Sequence, residues 1–121
     1  MITRHRFLHT YDGVTSFAIV GVALQPSPAW SVQWNDSVPR YNEFDTAVEE
    51  GVRNAAREHE RQEGEPHIVQ IMELVETLAD TRADAVRCAA AIATWKALGH
   101  SESDANVLFE GGQWQVTFPS S

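Results

Sequence analysis

The sequence predicts an α+β fold, a two-layer sandwich of two helices on a mostly antiparallel sheet of four strands or slightly more. Three observations carry this. Residues 42–61 and 83–98 repeat their apolar positions at helical spacing. Residues 15–24 and 30–34 read as strands before the first helix, and residues 106–110 and 113–118 as strands after the second. Helices gathered over one face of such a sheet are the simplest way to bury both apolar faces.

Residues 3–10 read as a short strand that ends at Tyr11-Asp12-Gly13, where Asp-Gly is a strong turn signal. Residues 15–24, TSFAIVGVAL, follow. Phe17, Ile19, Gly21 and Ala23 share one face, and Ala18, Val20, Val22 and Leu24 the other. Both faces are apolar, so this strand is expected in the sheet centre. Gln25-Pro26-Ser27-Pro28 breaks it. Residues 30–34, WSVQW, alternate as an antiparallel partner should.

The helix at 42–61 is the organising element. Phe44, Val48, Val52, Ala55, Ala56 and His59 form a single stripe. Asn42 is the expected N-cap, with Asp45 placed to reach back to it. Glycine at position 51 costs about 1 kcal/mol against alanine in a helix interior. Its expected use is to admit another backbone. Pro66 stops the helix. Residues 67–78, HIVQIMELVETL, fit a helix or a strand by periodicity alone. Asp80-Thr81 opens the second helix, with Asp84 near the capping-box position. Ala85, Ala89 and Ala93 give that helix a flat seam, widened by Val86, Cys88, Ile92 and Trp95. Gly99 is the expected C′ residue, and Gly111-Gly112 the turn of a closing hairpin.

The 121 residues suit a single domain over 1–121. Apolar content of 43% with four Trp supports an ordered core. The formal charge of −8 argues against broad phosphate-backbone binding but leaves room for a local basic patch. Cys88 stands alone, so no intrachain disulfide forms. The first residues lack an apolar signal core, and no stretch nears the roughly 18 apolar residues of a membrane span. A cytoplasmic location without membrane contact is expected.

Several separated segments, taken together, resemble domain IV of translation elongation factor G. Residues 43–55, EFDTAVEEGVRNA, are similar to the family's first helix, with Val38-Pro39 upstream. Residues 80–98 look like its second helix through Asp80, Thr81, Ala85, Ala89, Ala90 and Ala93. FAIVGVALQP with WSVQWND resembles its opening strands, and NVLFE its last. The similarity spans residues 15–118. It implies the second-domain fold of a small-subunit ribosomal protein, with a left-handed β-α-β crossover, and so a strand at 67–78. It also implies a place beside RNA on the ribosome. There is no GxxxxGK[ST] loop, so no nucleotide is expected. The family's Arg- and Gly-rich segment is absent, its tip loop is shortened to Thr77-Leu78-Ala79, and its turn before the third strand is replaced by QEGEP. Translocation activity is therefore not carried over.

No catalytic motif stands out. His5 and His9 read as polar positions of an exposed strand, and Cys88 as a small buried hydrophobe. His59, His67 and His100 lack metal-ligand spacing. Glu73, Glu76, Asp80 and Asp84 read as solvated or capping carboxylates. Arg53, Arg57 and Arg61 form an i, i+4, i+8 basic row that suits phosphates, although Glu49, Glu50 and Glu58 stand close enough to pair with it. Trp30, Trp34 and Trp114 are either core residues or an aromatic patch on an open sheet face. The expectation is thus a non-enzymatic binding module with no cofactor and no metal, associated with the ribosome, RNA or another protein. Its candidate contacts are Trp30, Trp34, Trp114, Arg53, Arg57 and Arg61. The alternative is a homodimeric interaction domain, unrelated to translation, joined through its sheet face.

Overall fold

The computed structural model describes residues 1–40, 42–77 and 80–119, and only the backbone of Asn42. The chain runs β1 (Thr3–Tyr11), β2 (Val14–Pro26), β3 (Ser31–Trp34), α1 (Asn42–Arg61), β4 (His67–Val75), α2 (Ala83–Ala97), β5 (Asn106–Glu110) and β6 (Gln113–Thr117). The first four strands form one sheet in the order β1-β2-β4-β3, and β5 and β6 form a separate hairpin. Both helices lie over the sheet, as the apolar patterning requires. The Asn42 side chain proposed as a cap and the Leu78-Ala79 part of the shortened loop lie outside the described residues.

β2 sits between β1 and β4, antiparallel to both. That position explains why both of its faces are apolar. Ala18, Val20 and Val22 are fully buried beneath the helices, alongside Phe7, Val69 and Ile71. Residues 67–75 are a strand, so the ambiguity at 67–78 resolves in favour of extension. The expected antiparallel partner at 30–34 is instead an edge strand parallel to β4, with Val32 beside Val69 and Trp34 beside Ile71. The cause is connectivity. β4 occupies the free edge of β2, and α1 carries the chain across between β3 and β4, a crossover that leaves two strands pointing the same way.

The α1 stripe is buried at Phe44, Val48, Val52 and Ala55. Asp45 is clasped by Arg40, whose Nε lies 3.0 Å from Oδ2. α2 is covered more completely than its alanine seam suggested. Between Asp84 and Trp95 every residue except Arg87 is buried, because α1, the sheet and β6 enclose it. The capping role expected of Asp84 is not the one observed. Arg82 occupies the N-cap position with no side-chain cap bond. Thr81 instead donates its hydroxyl to the Phe17 carbonyl at 2.6 Å, fastening the start of α2 to β2. The closing hairpin turns on Gly111 and Gly112, both at positive φ, as a two-residue primed turn demands.

α1 crosses α2 at Gly51. A Cβ there would collide with the Arg87 carbonyl oxygen and lie 2.9 Å from the Ala91 nitrogen. The neighbours are backbone and cannot swing away. Gly51→Ala should therefore destabilise the fold although alanine is the better helix former. Overpacking at the upper end, about 3 kcal/mol, outweighs about 1 kcal/mol of propensity, for a net loss near 2 kcal/mol. Urea denaturation of the variant reads this directly, and a gain in stability would contradict the close crossing.

Candidate functional site

The basic row on α1 divides in two. Arg61 Nη1 stands 2.6 Å from Glu58 Oε1 and is engaged locally. Glu50 faces α2, with Oε2 3.9 Å from Arg87 Nη1. Arg53 and Arg57 are exposed and make no ion pair or hydrogen bond with any other described residue. The salt-bridged surface expected for the whole row therefore holds for Arg61 alone. Helical spacing sets Arg53 and Arg57 one turn apart on the side away from the buried stripe. Together with Glu50, Asn54 and Arg87 they line a broad surface cleft of about 680 Å³.

Hydrogen bonds to β6 hold the cleft floor in place. Asn54 Nδ2 donates to the Val116 carbonyl at 3.1 Å. Arg87 Nη2 donates to the Trp114 carbonyl at 3.1 Å and to Gln113 Oε1 at 3.2 Å. Three guanidinium groups thus share one concave surface, two of them with every donor available. Planar, permanently charged forks of this kind suit phosphate or carboxylate oxygens. Arg87 was not among the residues singled out from sequence. Its signal was there all the same, as the one guanidinium inside an otherwise buried alanine-rich helix.

The tryptophans lie elsewhere than on an open sheet face. Trp114 is 7% exposed and packs with Phe7, His9 and Phe109. Trp34 shares the helix-covered side with Ile71, and the Arg40 guanidinium lies 4.2 Å from its ring centre. Trp30 is half-buried against His59 and His67, and its indole N–H is buried without a hydrogen-bond partner among the described residues. The reason is register. Strands alternate sides, and the pairing of β3 with β4 turns its aromatics inward. The outer face carries aliphatic residues instead, Ile2, Leu8 and Val75 the most exposed among them.

Neither is β1 an exposed polar strand at its histidines. His5 is buried opposite Val20, with Nδ1 3.6 Å from Glu102 Oε1, and His9 packs on Phe7. His59 Nδ1 and His100 Nε2 are hydrogen-bonded at 2.8 Å, although they are far apart in the chain. The carboxylate run at 73–84 separates in space. Glu73 pairs with Arg4 at 2.6 Å, and Asp84 accepts from the Ala85 and Trp114 amides. Cys88 is fully buried in α2, and burial pushes its thiol up to about 12, which suppresses thiolate chemistry. Among the described residues, no group of three or more His, Cys, Asp or Glu side chains is placed to hold a metal. No helix among them is long and apolar enough to cross a membrane.

Fold and site together define an α+β two-layer domain with a surface cleft. Its fold is that of a segment of a Thermus thermophilus protein, ttk003000868, known from its crystal structure. The two match with a TM-score of 0.70 at 16% identity, over 95% of this chain and 22% of that one. This chain thus spans about a fifth of that protein's length. No protein-family model matches the sequence, and no curated relative does.

Three histidines should make the fold acid-sensitive. Burial is the largest cause lowering His5, where Glu102 partly opposes it, and burial lowers His9. Burial also lowers His59, helped by the His100 and His67 imidazoles. Each therefore titrates below the ordinary 6.5 when folded. The unfolded chain takes up these protons first, so the stability they support is complete above pH 6.5 and falls as the pH drops towards their folded values. The urea midpoint should be lower at about pH 5.5 than at about pH 7.5. A midpoint that rises on acidification would show the imidazoles to be stabilised as cations.

Proposed function

We propose that this chain is a non-enzymatic binding module that acts at RNA, with the ribosome as its site of association. One observation carries the reading. Arg53 and Arg57 have no ion-pair partner among the described residues of a strongly acidic chain, and they share a cleft with Arg87. The resemblance of residues 15–118 to domain IV of elongation factor G supplies the kind of partner. The contact is local. Two or three arginines neutralise few phosphates, so affinity should fall with salt at a log–log slope of about −2. Ribosomes sedimented at low salt should carry the chain with them. Arg53→Ala with Arg57→Ala should abolish this, while Arg61→Ala, which removes an arginine already paired, should not. Absence of the parent chain from the ribosomal pellet at low salt overturns the reading.

A second reading, a homodimer through the sheet, is favoured by the outer face of β1, β2 and β4. Leu8 lies opposite Phe17 and Ile19 opposite Val75, with the Arg6 guanidinium 5.7 Å from the Phe17 ring centre. Leu8 is 47% exposed. Aliphatic residues rather than tryptophans would make this contact. Light scattering at high concentration should return twice the chain mass for the parent and the single mass for Leu8→Glu. A monomeric parent removes this reading and leaves the arginine cleft untouched, since the two surfaces belong to different layers.

A further inference from the structure

Where the tip of the β1–β2 hairpin meets the start of α2 and the β5–β6 hairpin, the chain forms a half-open pocket of about 190 Å³. Tyr11, Phe109 and Trp114 form its aromatic wall. Tyr11 and Phe109 are stacked at 4.1 Å, and Trp114 stands nearly perpendicular to both. Tyr11 is still 52% exposed and Val14, also lining the cavity, 48%. Buried Ser16 and the charged Asp12 and Arg82 complete the lining. These two opposite charges do not neutralise each other, and neither has an ion pair or hydrogen bond to another described side chain.

The geometry points to a binding site for a free aromatic α-amino acid with a single ring. The ring lies against the aromatic wall. The carboxylate meets the fork of Arg82, which can hold two oxygens at once. The ammonium meets the Asp12 carboxylate. Size supports one ring, since a cavity of about 150 Å³ accepts a benzene, and about 190 Å³ leaves the polar end at the rim rather than room for an indole. Charge supports the free amino acid over a peptide. An N-terminal residue lacks the carboxylate and a C-terminal residue lacks the ammonium, so either leaves one wall charge unmatched. The site stands apart from the arginine cleft and does not depend on the RNA reading.

Calorimetric titration of the whole chain with L-phenylalanine tests it, with the Trp114 indole followed by NMR. Binding at millimolar concentration or tighter is expected, with a shift of that indole. Phenylethylamine and 3-phenylpropanoate should each bind about tenfold more weakly or worse, as should L-phenylalanine to Arg82→Gln and to Asp12→Asn. Asp12 has a φ of +51°, a conformation asparagine also adopts, so that variant preserves the turn. An unchanged thermal midpoint confirms that both variants fold. No heat and no shift at saturating millimolar L-phenylalanine overturns the assignment. Equal binding of the amino acid and its two truncated analogues overturns it too, as does undiminished binding to both variants.

Discussion

The passage of α1 across α2 at Gly51 is the constraint on which the rest of the structure leans. With no side chain at that point, one helix backbone rests almost on the other, against Arg87, Ala90 and Ala91. The approach brings the next turn of α1 within reach of β6, where Asn54 binds the Val116 carbonyl. It also places Arg53 and Arg57 beside Arg87, which belongs to the other helix. The cleft is thus a by-product of core packing. Its charged groups are spaced by the two helix backbones rather than by contacts among themselves.

α2 performs a second task, as substitute partner for a strand. An isolated two-stranded hairpin is marginal in water, and β5–β6 is not joined to the main sheet. At Trp114 the backbone amide donates to Asp84 Oδ2 at 2.8 Å, and the carbonyl accepts from Arg87 at 3.1 Å. Two side chains three residues apart on one helix face therefore satisfy both polar groups of a strand residue. A buried carboxylate is costly unless it is hydrogen-bonded. Asp84 meets that condition with two backbone amides and also sits in the first turn of its helix, where negative charge is favoured. The indole of Trp114 then closes over Phe7 and His9, linking the hairpin to β1.

Patterning made most of the elements legible and few of their partners. α1 runs over residues 42–61 as its stripe and Pro66 require, and β2 is central as its two apolar faces require. Both are properties of one segment and its immediate environment. The direction of β3 was not legible, because alternation in WSVQW says that one side is covered and nothing of which neighbour covers the other edge. Asp84 was misread for a related reason. A carboxylate three residues past a hydroxyl looks like a local cap, whereas its ligand lies thirty residues away in the chain. The arginine row was visible as a row. Which of its members are paired depends on where Glu50 and Glu58 turn, and Glu50 turns towards Arg87. The aromatic cavity left no trace in the sequence, since its lining comes from three segments with nothing in common but their meeting point.

The overall charge and the cleft pull in opposite directions, and the balance limits what the cleft can do. A net −8 repels a polyanion at long range. At physiological ionic strength that repulsion is screened beyond about 8 Å. Beside Arg53 and Arg57, the cleft-lining groups are two further donors, Asn54 and Arg87, and a single carboxylate, Glu50. Glu50 stands 3.9 Å from Arg87, long for an ion pair, and is half-exposed, so its pull on the cleft is weak. The local potential is therefore positive against a negative background. Such a surface cannot gather RNA from afar or slide along it. On the proposed RNA-binding reading, it would grip a few phosphates only once another contact had brought them close. The module we propose would then be positioned by phosphate rather than by base sequence, since guanidinium contacts to phosphate fix orientation and carry no base information.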